Sequence, residues 1–123
     1  MDNINFKFSS YTINIKLRST KTAIAIKNIL PFKSTVKKWG EEIYFEIPIE
    51  ESLDLENDAK DIINVGEIAY WIEGKCIAIG YGKTPISKGN EIKLATRTNI
   101  WGDALLNIKE LSKIKDGDEV VVS

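Results

Sequence analysis

Apolar and polar side chains alternate strictly through the start of the chain. Phe6 and Phe8 flank Lys7, and Ile13, Ile15 and Leu17 are separated by Asn14 and Lys16. A period of two with one apolar face predicts two half-buried strands. The period then lengthens. Ala23, Ile26 and Leu30, with Ile24 and Ile29 beside them, fall on one side at helical spacing and predict a helix over about 20–30. Ser19 or Thr20 can cap its start, because a hydroxyl oxygen accepts from the free N–H groups of the first turn. Pro31 stops it, since a proline pushes the residue before it out of the α region.

After the helix the strand pattern returns. Ile43, Phe45 and Ile47 face one way, Tyr44 and Glu46 the other. The segments Ile68–Ile72 and Cys76–Tyr81 are apolar on both faces, and Glu73-Gly74-Lys75 between them reads as a tight hairpin turn. Bulk alternates in this pair: Ile68, Tyr70 and Ile72 against Ala69, then Ile77, Ile79 and Tyr81 against Ala78 and Gly80. Such alternation suits a small closed barrel whose interior is filled by side chains. The acidic stretch from Glu50 to Asp61 reads as a surface loop with a short helical turn near 57–62. Further on, Ser87–Asn90 is a turn, Ile92 and Leu94 mark a short strand, and Thr98–Trp101 a firmer one. Asn107–Ile114 predicts a short helix with Leu111 and Ile114 inward, and Asp116-Gly117-Asp118 turns the chain into a last strand, Glu119–Val122. The predicted class is mainly β: a closed antiparallel barrel with one α-helix in the N-terminal half and short helical turns. No repeat, linker or low-complexity tract interrupts it, so residues 1–123 are expected to form a single domain.

Composition narrows the setting. A chain of 123 residues can bury a core without disulfide staples. No apolar run approaches the roughly 20 residues that cross a bilayer, and Met1–Asn5 lacks a basic and apolar signal pattern. Cys76 is the sole cysteine, so no internal disulfide forms and a reducing compartment is expected. These features predict a cytoplasmic protein without membrane association. Histidine and glutamine are absent, and lysine far outnumbers arginine. The abundance of isoleucine, lysine and glutamate leans towards a thermophilic source, although a low-GC genome gives a similar bias.

Charge is uneven along the chain. Residues 1–40 carry eight basic side chains and one acid, residues 41–67 ten acids and one lysine, and the whole chain a net charge of −1. The near-neutral total argues against generic nucleic-acid binding, which needs a concentrated basic face to neutralise phosphates. Opposite-sign solvated faces account for the asymmetry.

Motif by motif, no catalytic group, metal site or cofactor is predicted. Gly80-Tyr81-Gly82-Lys83-Thr84 ends like a phosphate loop, but Ile77 stands where its first glycine belongs and Pro85 where its helix should begin. Cys76 has no histidine to activate it and reads as a packed strand residue. Asp54, Glu56, Asp58 and Asp61 fail the EF-hand pattern, because Ala59 and Val65 fall where its glycine and closing glutamate belong. Zinc is not expected of one cysteine and no histidine. Glu41-Glu42 and Glu50-Glu51 are adjacent pairs, and neighbours on a strand point to opposite faces, which disfavours an acid–base pair. Trp39, Tyr44, Trp71, Tyr81 and Trp101 lie at strand ends, mostly beside glycine or proline. They either plug a barrel mouth, the favoured reading, or line a ligand groove.

Thr22-Ala23, Leu30-Pro31-Phe32, the block Trp39–Pro48, Gly66–Trp71, Gly82–Pro85, Asn99–Gly102 and Asp116-Gly117-Asp118 occur in an order that resembles the small, single-domain cyclophilin-like proteins of archaea and bacteria. The likeness runs from Ile13 to Val122 and implies a reduced form of the closed cyclophilin barrel. True cyclophilins isomerise prolyl bonds. By resemblance, their catalytic arginine corresponds to the stretch Ser34–Lys38, which holds lysine and no arginine. Their glutamine falls within Glu41–Pro48, which has none. Thr98 stands in place of their histidine, and Lys93, beside Leu94, in place of their tryptophan. The resemblance therefore implies a ligand groove around Lys37, Lys38, Trp39, Tyr81, Leu94, Arg97 and Thr98, without the isomerase's working residues. Three readings follow: a binding module for a peptide or small ligand, a weak prolyl isomerase with Lys37 or Lys38 in the arginine's place, or a self-associating or partner-docking domain.

Overall fold

The computed structural model describes residues 2–123. The two N-terminal strands, β1 (Asn3–Lys7) and β2 (Thr12–Leu17), form an antiparallel hairpin in which Ile4 opposes Ile15 and Phe6 opposes Ile13. Their apolar members point inward and their lysines and asparagines outward, as period two requires. Helix α1 (Lys21–Lys27) begins at Thr20, whose Oγ1 accepts from the Ala23 N–H at 3.0 Å. It is shorter than the apolar spacing predicts. Asn28 caps it, and the N–H groups of Ile29 and Leu30 reach back to Ile26 and Lys27 in a tightened last turn. Ala23, Ala25 and Ile26 pack into the barrel's apolar interior, while Ile24 faces outward.

Next come β3 (Phe32–Thr35), β4 (Lys37–Lys38), β5 (Glu42–Glu46), β6 (Lys60–Ile63), β7 (Glu67–Trp71), β8 (Cys76–Gly80), β9 (Ile92–Asp103), helix α2 (Ile108–Lys113) and β10 (Glu119–Val122). All pairings are antiparallel, in the order β3-β10-β1-β2-β9-β7-β8-β5-β4, with β6 joined to β9. The two ends of that order are one ribbon. β3 pairs with β10, β4 pairs with β5, and the buried Val36 lies between them, so residues 32–38 span the gap and nearly close the barrel. The Ser34 hydroxyl adds a bond across the seam to the Glu46 carbonyl. Closure of this kind leaves few free sheet edges.

The interior is filled. Phe6 meets Phe45 edge to face with centroids 5.5 Å apart, and Trp101 lies 6.1 Å from Phe6. Ile43, Phe45, Ile68, Tyr70, Ile77 and Ile79, the inward face predicted by alternation, are all buried among them. Leu111 and Ile114 join the same core, as the short C-terminal helix predicts.

A second apolar layer lies outside the barrel. β9 runs without a break through both of its predicted strands. Its second half pairs with β7, whereas its first half pairs with β6. The β6–β9 ribbon packs on the outer face of β7 and β8, where Ile63, Ile92, Leu94 and Ile100 meet Ala69 and Ala78 with Tyr44 beside them. Small residues make the room. A Cβ at Gly80 would come within 2.6 Å of Ile92 and 3.0 Å of Ile63. This layer also corrects the helical turn predicted near 57–62. Only Asn57 and Asp58 turn, and Lys60–Ile63 is extended, because Ile63 gains burial and the backbone gains partners on β9.

Candidate functional site

The outer face of β5 carries Glu42, Tyr44 and Glu46. Its neighbour β8 offers almost no side-chain bulk opposite the first two, since Glu42 pairs with Gly80 and Tyr44 with Ala78. A cleft of about 170 Å³ opens there, lined by Trp39, Glu42, Tyr44, Trp71 and Ala78 on one side and by Leu94, Ala95, Thr96 and Thr98 of β9 on the other. Its walls are mostly apolar.

Local sequence sets each wall. Trp39 precedes a tight turn in which the Trp39 and Glu42 backbones exchange hydrogen bonds of 3.0 and 3.2 Å. Gly40 holds that turn at φ +60°, and a Cβ there would press on the Lys83 carbonyl at 2.8 Å. Trp71 ends β7 with its ring against Gly74, where any Cβ would collide with it. On the far wall the Thr98 hydroxyl donates to the Lys60 carbonyl at 2.9 Å, tying β9 to β6. The start of β9 is latched to the preceding loop. Ser87 Oγ accepts from the N–H groups of Thr84 (3.0 Å) and Lys93 (3.1 Å), and the Thr84 hydroxyl donates to the Lys93 carbonyl. This latch positions Leu94 over the cleft, and it is the structural role of the glycine-rich stretch that ends at Thr84.

Glu42 is the distinctive group. It is 7% exposed, no donor among the described residues bonds its carboxylate, and the carboxylate oxygens keep contact with the open cleft. Burial alone pushes its carboxyl from the ordinary 4.5 up to about 7. Desolvation disfavours the charged form, and no neighbouring cation offsets it. At neutral pH the group is therefore balanced between acid and anion, a condition that clusters at functional sites. Cys76, two residues along β8 from Ala78, behaves differently. Its thiol donates to the Gly74 carbonyl at 3.2 Å, and burial, with Glu46 nearby, raises its pKa to about 11, so it stays a thiol.

Of the residues that the resemblance implied for a groove, Trp39, Leu94 and Thr98 line this cleft together. Lys37 and Arg97 are exposed and outside its lining. Lys38 is half-buried with its Nζ 5.5 Å from the Tyr81 ring, and Tyr81 is buried against the barrel interior. Tyr44 and Trp101 lie within β5 and β9 rather than at strand ends, and the five aromatics divide between the two roles open to them: Trp101 and Tyr81 pack in the core, and Trp39, Tyr44 and Trp71 line the cleft. Sequence reasoning weighed Glu42 only as half of the adjacent pair Glu41-Glu42 and disfavoured it there. Its only signal was its place on the Tyr44 face of β5, and the wall that covers it comes from residues 94–98 of β9, far along the chain.

The acidic segment after β5 has a packing role. Buried Asn99 accepts from the Glu56 N–H (2.8 Å) and donates to Thr22 Oγ1 and the Asp54 carbonyl (3.0 Å each). Thr22 in turn donates to the Glu56 carboxylate through N–H and hydroxyl. Elsewhere Arg18 grips Asp103 with two bonds of 2.8 Å and lies 3.5 Å from Glu67, which also pairs with Lys60. Among the described residues no cluster of three or more histidine, cysteine or acidic side chains could hold a metal ion. No helix among them is long and apolar enough to cross a membrane.

Comparison with known proteins gives consistent findings. A family model described as cyclophilin-like matches residues 2–123. The solution structure of a hypothetical protein from Archaeoglobus fulgidus is similar to this chain at 35% sequence identity and a TM-score of 0.80. That likeness covers 98% of this chain and 92% of the archaeal one. No curated protein matches the sequence.

Proposed function

The chain belongs to the cyclophilin-like family, and on that premise we propose that it is a binding module whose ligand enters the cleft between β5 and the β6–β9 ribbon, without prolyl isomerase activity. The observation that carries this reading is the largely buried Glu42, whose carboxylate makes no hydrogen bond to a described residue and keeps its solvent contact through an otherwise apolar cleft. Burying such a group costs stability unless something bonds to it, and a ligand donor is the natural partner. The volume suits one ring-sized group, since a cavity of about 150 Å³ accommodates benzene. A small molecule, or a single side chain of a peptide, fits that size.

Isomerisation is disfavoured by what the cleft lacks. Catalysis requires stabilising the twisted amide more than the planar one, and a rigid arginine fork suits that work better than a flexible, strongly hydrated lysine. No cationic side chain lines the cleft. Lys37 is exposed and Lys38 is engaged over Tyr81, so neither substitutes for the arginine.

A thermal-shift screen of small metabolites and short peptides tests the proposal, with hits mapped by NMR. Perturbations confined to Trp39, Glu42, Tyr44, Trp71 and Leu94 are expected. Saturable binding that maps to another face would remove the cleft from the reading.

A further inference from the structure

Three aromatic side chains and one carboxyl share the cleft: Trp39, Tyr44, Trp71 and Glu42. The remaining lining is alanine, leucine and threonine, with no lysine or arginine. Each electrostatic feature of this set has the same sign. Aromatic faces carry negative quadrupole potential and attract cations, and an ionised Glu42 adds a full negative charge. Within the lining an anionic ligand would meet only repulsion; Lys37, opposite Tyr44 on β4, lies outside it. A metal ion would find a single carboxylate, far short of the six or more oxygens that calcium takes. A small inorganic cation would also surrender its hydration to walls that cannot replace it.

We infer that the cleft receives a compact organic ammonium ion bearing alkyl groups, its apolar substituents among Trp39, Tyr44, Trp71 and Leu94 and its charge balanced by Glu42. This inference rests on reading the cleft as a binding site and adds the ligand's chemical class. Alkylated ammonium ions spread their charge over methyl groups and shed water more readily than a primary amine does. Their apolar surface also matches aromatic and aliphatic walls, which is why quaternary ammonium groups are bound by aromatic cages. The protein's own cations leave the space free. Lys38 is occupied at Tyr81, and Lys37, Lys93 and Arg97 lie outside the lining.

The test titrates the protein, above the pH at which Glu42 ionises, with choline and with 3,3-dimethylbutanol, its neutral isostere, at matched ionic strength. Tryptophan fluorescence and indole N–H shifts report binding. Choline should bind saturably and at least about tenfold more tightly than the neutral isostere, the margin expected for a desolvated cation–π site. Glu42→Gln and Trp39→Leu, each checked for an intact fold by circular dichroism, should each weaken choline about tenfold or more. A peptide bearing trimethyllysine distinguishes the source of the ammonium group. Tighter binding than choline would assign it to a protein side chain, and weaker binding to a free small molecule; both support the ligand class. Equal affinity for choline and its isostere would overturn the inference while leaving an apolar binding site. No ammonium binding, with a metabolite or peptide of another class binding the cleft, would do the same. No ligand of any class at the cleft would overturn both this inference and the proposed function.

Discussion

Replacing Glu42 with glutamine isolates the cost of burying its carboxyl. The folded protein holds that group at about 7, against 4.5 for an unperturbed glutamate, with burial as the cause. A gap of that size corresponds to roughly 3 kcal/mol of differential stability. The sign follows from proton binding. Below pH 4.5 the carboxyl is protonated in both states and burial carries no ionic penalty. As pH rises from 4.5 to 7 the unfolded chain loses the proton and the folded protein keeps it, so stability falls. Above 7 both states are ionised and the full penalty of roughly 3 kcal/mol remains. Glutamine keeps the shape and never ionises. Urea denaturation of wild type and Glu42→Gln, at steps from about pH 4.5 to pH 8, should therefore show the variant gaining on wild type by roughly that amount. The lowered carboxyls of Asp2, Glu67 and Asp103 destabilise only as pH falls towards their own range, and Cys76 titrates near 11. The charged residues on the surrounding elements are Lys37 and Lys38 on β4, Glu46 on β5, Lys60 and Asp61 on β6, Glu67 on β7, and Lys93, Arg97 and Asp103 on β9. They are common to both proteins, so the difference between the curves reports Glu42. A difference that stays constant to within about 0.5 kcal/mol would refute the reasoning and mean that water or an unseen partner solvates the carboxylate.

Three further outcomes follow from the packing. Phe45→Ala, which empties a fully buried ring site against Phe6, should cost about 3–5 kcal/mol in chemical denaturation; a loss below about 1 kcal/mol would put that face outside the core. Asn99→Ala removes three hydrogen bonds that hold the acidic loop to α1 and β9, and should cost about 3 kcal/mol while raising proteolysis within residues 50–59; an unchanged cleavage rate would separate the loop from Asn99. In a protease-coupled proline peptide assay the protein should leave the barrier of about 18–20 kcal/mol essentially unlowered. A rate near that of a true cyclophilin would contradict this, and Lys37→Ala and Lys38→Ala would then identify the donor.

Much of the fold was legible because the barrel's interior is one-sided. Wherever a strand has one face inside and one in solvent, as in Asn3–Lys7 and Thr12–Leu17, alternation states the answer directly. The same rule located Ile43 and Phe45, and the hydroxyl at Thr20 marked where α1 begins. It was less informative where both faces are buried. Alternation set Ala69, Ala78 and Gly80 opposite the inward face but did not show that this outer face is also covered, where their small size admits the β6–β9 layer. For the site, family resemblance reached Trp39, Leu94 and Thr98 but grouped them with Tyr81, whose ring turns into the core.

Local sequence, then, determined the strands, the first helix, the mainly β class and the inward face, because each depends on periodicity within a few residues. Only the tertiary structure decided that Glu42 is buried. A glutamate on the polar face of a strand reads as solvated, and nothing within ten residues of it says otherwise. Its environment is set when residues 94–98 of β9 cross over the outer sheet and narrow its access to solvent, a long-range contact that the strand's own pattern does not encode. Burial of the outer face, rather than any motif, turned an ordinary surface carboxylate and the aromatics Trp39, Tyr44 and Trp71 into a cleft.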